Sequence, residues 1–449
     1  MFRELSTPEG MRQFTELTAA GLGPAPGGKY RHWDTFRHAP PRADLSVELQ
    51  WLVVKMARTA LYRPLPLLDS KGQPFKFALP SIALEYLHRV DRDTSGTIQG
   101  AAQVTDSATQ ATYLFKSLVE EAITSSQLEG ASTTRRVAKA MIQEGRAPRD
   151  RSERMILNNY EGMRLVRELR NAPLTPAVVM RLHRVLMEGT LDDPTAGGRF
   201  RRAEDEIVIE DETGTLLHTP PPASELESRM AAMCAFANGD GRGEFIPPPV
   251  RAILLHFWLA YDHPFVDGNG RTARALFYWS MARQGYWLCE YLSISRILKN
   301  ARGEYSRAYL YSDTDDNDAT YFLLYQLGVL CRSIAELLEY LARKAAQLKE
   351  TEQLVRSARA VKGVLNPRQL ALVHHALRTP DARYTLESHR RSHGVSFETA
   401  RSDLASLAAQ RLLVKGKVGR QFVYRPAPEL QARIEDKVKQ AKAAKRIRL

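Results

Sequence analysis

The chain has 449 residues, of which 44% are hydrophobic and 26% charged, so it is long enough for two or three ordered domains and is excluded from the wholly disordered class. A mean hydropathy of −0.35 argues against a polytopic membrane protein. Lysine and arginine total 64 and aspartate and glutamate 51, and the resulting charge of +13 favours a polyanionic partner such as nucleic acid or nucleotide phosphate.

Two further features bear on the cellular compartment. The opening residues, MFRELSTPEGMRQF, lack the apolar segment of a signal peptide, and no stretch approaches about 18 consecutive apolar residues. The cysteines Cys234, Cys289 and Cys331 are widely spaced and odd in number, which indicates neither a disulfide framework nor a thiolate zinc site. We therefore expect a cytoplasmic protein without a membrane partner.

Residues 1–107 are predicted to form an N-terminal helical extension. Loops rich in proline and glycine, at 23–28 and 38–42, alternate with short helical patterns, and residues 45–61 carry apolar side chains at helical spacing. We expect this extension to pack against the domain that follows it.

Residues 108–346 form the predicted core, which is mainly helical. Apolar side chains recur at helical spacing over 108–129, 134–143, 151–169, 176–187, 224–237, 247–261, 269–284, 293–312 and 319–346. Residues 204–219 interrupt this pattern with a β-branched run and a turn at Thr213-Gly214, and they predict a β-hairpin.

The remaining residues are predicted to form a linker helix (347–365), a small domain (366–428) and a basic tail (429–449). The small domain shows three helical patterns followed by two short strands, which is the order of a winged helix-turn-helix. The fold class is therefore mainly α, with a β-hairpin in the core and a C-terminal winged helix-turn-helix.

Basic side chains of the small domain are compatible with DNA as a partner. Arg401 on the third helix, with Lys417 and Arg420 on the hairpin, could reach phosphates. The same helix carries Glu398 and Asp403 on what we expect to be its exposed face, and winged helices also serve in dimerisation and protein docking. Both interpretations stay open.

The run from His263 to Arg274, HPFVDGNGRTAR, concentrates groups suited to phosphate chemistry between two apolar helices. Residues 268–270 lie at a helix N-terminus, where backbone N–H groups, the helix dipole and missing side chains let a pyrophosphate approach. Arg271 and Arg274 are three residues apart on the first turn, so both can bind that anion. Asp267 is a hard oxygen ligand suited to Mg²⁺, and His263 can accept a proton near neutral pH. The run predicts transfer of a phosphorus group to a hydroxyl.

This run resembles the signature of the Fic family, H-x-F-x-[D/E]-G-N-G-R-x-x-R. It matches every fixed position: His263, Phe265, Asp267, Gly268, Asn269, Gly270, Arg271 and Arg274. The resemblance extends over residues 108–346 and implies a Fic-fold helical core. Fic proteins characteristically transfer AMP from ATP to a Ser, Thr or Tyr hydroxyl of a protein and release pyrophosphate, which implies ATP as co-substrate and Mg²⁺ as cofactor.

The resemblance implies a role for each matched position. His263 is the general base, Asp267 holds Mg²⁺ between the α- and β-phosphates, and Phe265 fixes the loop on the core. The α-phosphate is bound by Gly268, Asn269 and Gly270, the β-phosphate by Arg271 and the γ-phosphate by Arg274.

Two related chemistries differ from this pattern. Doc-type relatives, which phosphorylate, carry Lys where this chain has Gly270, and phosphocholine-transferring relatives carry Ala where it has Gly268. The pattern therefore favours AMP transfer.

A second motif precedes the first. Residues 125–130, SSQLEG, resemble the family's inhibitory pattern [S/T]-x-x-x-E-[G/N], in which Ser125 and Glu129 share a helix face. The resemblance implies that Glu129 pairs with Arg274 where the γ-phosphate must bind. In some relatives this Glu also orients a water that removes AMP, so a deAMPylase mode stays open.

Two other segments resemble parts of the family. The hairpin is similar to its flap, which holds a target segment by strand addition, and this implies that Ile207, Val208 and Ile209 lie over the active site. Tyr305 matches an aromatic residue that meets the adenine. The acidic stretch 313–317 is longer than the usual loop, so the other adenine contact is open.

The sequence thus predicts an adenylyltransferase that acts on a protein target or on itself, restrained by Glu129 and expected to be a homodimer. The alternative is a DNA-binding regulator whose core senses nucleotide or modifies only the chain itself.

Overall fold

The computed structural model describes residues 7–19, 22–38, 46–94, 107–210, 213–239, 244–360, 365–379, 381–418 and 421–437. The chain separates into two compact units, Met1–Leu338 and Glu339–Leu449. Both are built mainly from helices, as the sequence predicts.

Helices account for most of the first unit. In chain order they are α1 (Pro8–Ala19), α2 (Trp33–Phe36), α3 (Val47–Thr59), α4 (Ser81–Thr94), α5 (Ser107–Leu128), α6 (Arg135–Glu144), α7 (Arg151–Glu168), α8 (Pro176–Met187), α9 (Leu226–Asn238), α10 (Pro248–Asp262), α11 (Asn269–Arg283), α12 (Ile294–Asn300), α13 (Arg302–Thr314) and α14 (Thr320–Ala360).

Strands in the described part of this unit form two short antiparallel hairpins. One joins β1 (Arg63–Leu68) to β2 (Pro74–Phe77), and the other joins β3 (Ile209–Glu210) to β4 (Leu216–His218). Ile209 lies opposite His218 in the second hairpin. This is the hairpin that the sequence predicts, with shorter strands.

The starts of several helices follow from capping side chains. Thr134, Asp150 and Thr175 each accept a hydrogen bond from the backbone N–H three residues further on, at the beginning of α6, α7 and α8. Pro176 occupies the first turn of α8, where its missing N–H costs nothing. These helix starts agree with the predicted ones to within a residue.

The centre of the first unit is the pair α10 and α11. Nearly every side chain of both helices is buried, including Trp258 and Trp279, so the pair lies inside the core. The loop that carries the His263–Arg274 run joins these two helices. It is therefore built on the hydrophobic core of the unit.

The sequence predicts one helix over 293–312, and the structure has two. The chain breaks at Ala301, whose backbone dihedrals of −134° and 45° are not helical, between α12 and α13. The break lets α13 turn Tyr305 towards His256 of α10, and Tyr305 Oη lies 2.9 Å from His256 Nε2.

One segment of the described chain, Thr320–Arg343 within α14, is long and apolar enough to cross a membrane by length and composition alone. Half of its most apolar window is buried inside the protein. Phe322, Leu323 and Leu327 belong to the main hydrophobic core, which is the pattern of a core helix.

The second unit contains α15 (Pro367–Arg378), α16 (Leu386–His393), α17 (Phe397–Ala409) and a hairpin of β5 (Leu413–Val418) and β6 (Gln421–Pro426). Leu372, Leu404, Leu407 and Tyr424 form its own core. The order of elements is the predicted one, and the assignment to the winged helix-turn-helix class stays a prediction.

The expectation that Asp403 is exposed is wrong. Asp403 is 3% exposed and accepts hydrogen bonds from Asn366 Nδ2 at 2.7 Å and Arg368 Nε at 2.8 Å, and its Oδ2 lies 3.2 Å from His389 Nε2. It ties α17 to the starts of α15 and α16 and contributes no negative charge to the outer face.

The predicted DNA contacts of this unit are only partly within the described residues. Arg401 and Lys417 are exposed, whereas Arg420 and the basic tail from residue 438 lie outside the part that the structure describes. A contact with DNA stays a prediction.

Candidate active site

His263 ends α10 and faces a cavity of about 750 Å³. Its backbone is left-handed, with φ of 45°, and its carbonyl oxygen accepts a hydrogen bond from Arg201 Nε at 2.8 Å. The ring nitrogen Nδ1 lies 3.3 Å from the carbonyl oxygen of Ala260, which can only accept, so Nδ1 carries the proton and Nε2 the lone pair. Burial lowers the pKa of His263 to about 4. The ring is therefore neutral at pH 7 and can accept a proton.

The loop after His263 is fixed by side chains that point into the core. Phe265 is fully buried and its ring stacks on His183, with 3.7 Å between the ring centroids. Asn269 Oδ1 accepts from the Phe265 N–H at 3.0 Å, and Asn269 Nδ2 donates to the Phe265 carbonyl at 2.8 Å. Because the Asn269 side chain is used within the loop, what this residue offers an anion is its backbone N–H.

Two glycines create the space at the N-terminus of α11. Gly268 has φ of 81°, and a Cβ there would overlap Met187 Sδ; a Cβ at Gly270 would overlap Glu129 Oε1. The first backbone bond of this turn runs from Thr272 N to Gly268 O, so the N–H groups of residues 269–271 precede the helical ladder. They are the groups that bind anions at helix starts.

Arg271 is a buried cation with weak partners. Its side chain is 1% exposed, and it reaches the Leu186 carbonyl at 3.3 Å and Asp267 Oδ2 at 3.5 Å. Its Nε atom is buried and has no hydrogen-bond partner among the described residues. Burial lowers the pKa of Arg271. Buried charges are normally paired, so this guanidinium indicates a site for an anion.

Arg274 is also buried, and its partners lie on α5 and just beyond it. Its Nε donates to Ser125 Oγ at 2.9 Å, and its Nη2 donates to Glu129 Oε1 at 2.9 Å. Burial alone would raise the pKa of Glu129, but the charges of Arg274 and Arg271 outweigh it and hold that pKa below its ordinary value. Glu129 is therefore an ionised partner that already occupies Arg274.

Asp267 is the second carboxylate beside this anion site. Its side chain is 43% exposed, and Arg151 Nη2 lies 4.0 Å from its Oδ2. No group of three His, Cys, Asp or Glu side chains suited to a metal occurs in the described part of the chain. A single half-exposed carboxylate fits Mg²⁺, which takes few protein ligands and completes its shell with phosphates and water.

The cavity brings most of the predicted residues together. Those that line it are Glu129, Ile209, His263, Gly270, Arg274 and Tyr305. Asp267, Gly268, Asn269 and Arg271 form the loop and first turn beside it, and Ser125 lies behind Arg274. Ile207 and Val208 do not line it and precede the paired strand, so only Ile209 of the three predicted flap residues faces this space.

Two functional neighbours escape the sequence analysis. His183 of α8 lies 2.9 Å from the Asp267 carbonyl oxygen through its Nε2, and it accepts the Gly198 N–H on Nδ1. His256 contacts Tyr305, as described above. His183 is far from the His263–Arg274 run in sequence, and His256 lies on α10, two helical turns before it. For both residues, only the tertiary packing shows what the ring contacts.

Comparison with known proteins identifies one domain of the chain. Residues 173–281, which contain α8 to α10, the His263–Arg274 run and all but the last two residues of α11, match the family model described as Fic/DOC family. The chain carries a Fic/DOC domain. Glu129 and Tyr305 lie outside the matched range, and the structure brings both to the Fic/DOC cavity.

Relatives of known name match part of the chain. The proteins named Protein adenylyltransferase Fic from Drosophila sechellia and Drosophila melanogaster are each 32% identical to this chain over 135 residues, which is 29% of this chain and 25% of theirs. The chain thus spans about a quarter of the length of these curated relatives.

The fold is also that of a solved Fic structure. A Fic family protein from Desulfovibrio desulfuricans G20 superposes with a TM-score of 0.53 at 19% identity, over 78% of this chain and 97% of that chain. The helical arrangement around the Fic/DOC domain is therefore a Fic fold.

Proposed function

We propose that this protein transfers AMP from ATP to the hydroxyl of a Ser, Thr or Tyr side chain and releases pyrophosphate. The observation that carries the proposal is the pair of buried guanidinium groups, Arg271 and Arg274, beside a helix N-terminus and a neutral histidine. An anion that fills this site places its phosphates along the start of α11. The base then lies at one end of the anion.

The proposed reaction breaks one bond and forms another. His263 Nε2 accepts the proton of the target hydroxyl as its oxygen attacks the α-phosphorus. The bond from the α-phosphorus to the bridging oxygen of pyrophosphate breaks, and AMP stays on the target. The N–H groups of residues 269–271 hold the α-phosphate oxygens as charge develops, and Arg271 and Arg274 bind the departing β- and γ-phosphates.

Asp267 is the residue that would hold Mg²⁺, and the ion when bound supplies positive charge to the phosphates. Tyr305 and Tyr309 offer an aromatic wall to the adenine, since both line the cavity. The proposed target is another protein or a second region of this chain.

Glu129 gives the proposed enzyme a restraint. Its carboxylate pairs with Arg274 at 2.9 Å, where the γ-phosphate would bind, so the carboxylate and the nucleotide compete for one guanidinium. Removal of the carboxylate should free Arg274 and raise the rate.

The test uses ATP labelled on the α-phosphate, with Mg²⁺, and compares Glu129→Gly with the parent chain. We expect at least tenfold more protein-bound label in Glu129→Gly and an intermediate gain in Glu129→Gln, which keeps the shape and loses the charge. The matched inactive control is Glu129→Gly with His263→Asn, because Asn tolerates the left-handed backbone at position 263.

The label position separates the related reactions. Label transferred from the γ-phosphate would indicate phosphorylation and would overturn the proposal. Absence of label from either position in Glu129→Gly would favour the alternative, a regulator that senses nucleotide. Release of labelled AMP from labelled protein incubated with Mg²⁺ and the parent chain, which keeps Glu129, would reveal the deAMPylase mode.

A further inference from the structure

A second cleft of about 840 Å³ adjoins the catalytic cavity. Its walls are the turn of the N-terminal β1–β2 hairpin, strand β4 with the residues around it, and the end of α13 with the loop after it. The two spaces share four lining residues: Leu217, His218, Tyr261 and Asp313. A chain segment could therefore pass from one space into the other.

The N-terminal extension builds the outer wall of this cleft. The Lys76 N–H donates to the Asn317 carbonyl at 3.0 Å, and the Ala319 N–H donates to the Lys76 carbonyl at 2.8 Å. Asn317 Nδ2 donates to Asp69 Oδ2 at 2.9 Å. These bonds join β2 and the hairpin turn to the loop between α13 and α14.

Buried polar contacts hold that loop from behind. Tyr30 and Tyr62 donate their hydroxyls to Asp318 Oδ2 at 2.6 and 2.8 Å, and Lys55 pairs with Asp315 at 2.8 Å. Arg58 is fully buried and donates to the Tyr321 hydroxyl at 2.6 Å. The loop, and with it this side of the cleft, is thus held in place by contacts with the N-terminal extension.

Most charges in the cleft are already compensated. Asp69 Oδ1 accepts the N–H groups of Lys71 and Gln73, and Asp316 pairs with Lys55 at 3.0 Å. Lys76 Nζ lies 4.7 Å from the centre of the Tyr62 ring. Lys71 and Lys76 also line this outer wall and are charged neighbours of Asp69 and Asp316, so the wall carries two cations beside two carboxylates.

Asp313 is the exception, and it lies where the two spaces meet. Its side chain is 35% exposed, and in the described part of the chain its one charged neighbour is His218 Nδ1, at 3.9 Å. His218 Nε2 lies 2.8 Å from the Tyr261 carbonyl, so Nε2 carries the ring proton of the neutral form and Nδ1 carries none. The carboxylate therefore faces the junction without a hydrogen-bonded cation.

We propose that this cleft binds the segment of the protein target that flanks the modified hydroxyl, and that Asp313 selects a Lys or Arg in that segment. The inference rests on the proposed function, because it assigns the second substrate of the same site. It gives the N-terminal extension a role, which is to form the wall that the flap and the core lack.

The test uses synthetic peptides with one central Ser, Thr or Tyr and with Lys and Arg, Ala, or Asp and Glu at the flanking positions. The measurement is kcat/KM for AMP transfer by Glu129→Gly, expressed as the ratio between basic and acidic peptides. We expect a ratio above ten, a fall towards one in Glu129→Gly with Asp313→Asn, and a reversal with Asp313→Lys. The matched control is Glu161→Gln, an exposed carboxylate on α7 that lines neither space.

A second variant tests the wall itself. Ser70 lies on the exposed hairpin turn and lines the cleft, so Ser70→Trp should fill part of it without disturbing a core. We expect KM for the basic peptide to rise several-fold more than KM for ATP. Equal changes in the two values would count against the cleft.

The outcomes separate this inference from the proposed function. If Glu129→Gly labels neither itself nor any peptide, the proposed function fails. If it labels itself and no peptide, or labels peptides with a ratio that Asp313 variants leave unchanged, AMP transfer stands and the peptide-binding cleft is wrong.

Discussion

Single residues outside the His263–Arg274 run set the geometry of the catalytic loop. His183 supports the loop in two ways, by stacking on Phe265 and by its contact with the Asp267 carbonyl. The Gly198 N–H donates to Nδ1, so Nε2 must carry the proton that it gives to Asp267. Burial lowers the pKa of His183 to about 4, which keeps this tautomer neutral at pH 7.

His183 is accordingly predicted to be a positioning residue. We expect His183→Ala to lower kcat for self-labelling by about 10- to 100-fold, the range typical of residues that orient a catalytic group, with a smaller change in KM for ATP. The measurement is steady-state labelling in the Glu129→Gly background, with exposed His88→Ala as control. A kcat equal to that of the control would show that the loop holds its shape without His183.

Among the elements, α5 is attached to the start of α12 through the buried carboxyl group of Glu121. Glu121 is 2% exposed and accepts hydrogen bonds from Ser293 Oγ at 2.9 Å and from Ser295 N at 3.2 Å, at the start of α12, and also from Ser295 Oγ. Burial raises the pKa of Glu121 more than these bonds lower it. Ser125 and Glu129 follow one and two turns later, so the anchor fixes the face that reaches Arg274.

Loss of this anchor should loosen the restraint. We expect Glu121→Ala to lower the free energy of unfolding by about 1–3 kcal/mol, because buried donors lose their acceptor, and to raise self-labelling by less than Glu129→Gly does. Urea unfolding and α-labelled ATP give the two readings. The neighbouring Glu120→Ala is the matched control. If Glu121→Ala is less stable but labels itself no faster than the parent chain, the contacts of Glu121 do not hold Glu129 against Arg274.

At the scale of the whole molecule, most features could be predicted from residues adjacent in sequence. The rest depend on contacts between residues that are distant in sequence. Helix starts such as Thr175-Pro176 are written in adjacent residues, and so is the loop from His263 to Arg274. The burial of Asp403 and the contacts of His183 depend on residues far away in the chain. Strand length in the hairpin likewise depends on pairing, which is why Ile207 and Val208 fall outside β3.

Buried histidines predict how stability varies with pH. Burial lowers the pKa of His183 and His263 to about 4 and that of His256 to about 3, whereas an unfolded histidine titrates near 6.5. Below about pH 6.5 the unfolded chain therefore binds more protons, so stability should fall as the pH is lowered, by about 1.4 kcal/mol per pH unit for each histidine.

Thermal unfolding followed by circular dichroism between pH 7.5 and 5 checks this expectation. The midpoint should fall across that range, and His256→Gln should make the fall shallower because one titrating group is gone. A midpoint that stays constant from pH 7.5 to 5 would contradict it.

Gly270 has no side chain, and the carboxylate of Glu129 fills the space that one would take. Under the proposed function, Glu129 and the nucleotide occupy that place in turn. The apparent affinity for ATP therefore equals the intrinsic affinity multiplied by the fraction of molecules in which Glu129 has withdrawn. Where ATP is abundant, the fraction of molecules in which Glu129 has withdrawn would set the level of activity. A partner that raised this fraction a hundredfold would raise the apparent affinity for ATP a hundredfold without contacting a phosphate.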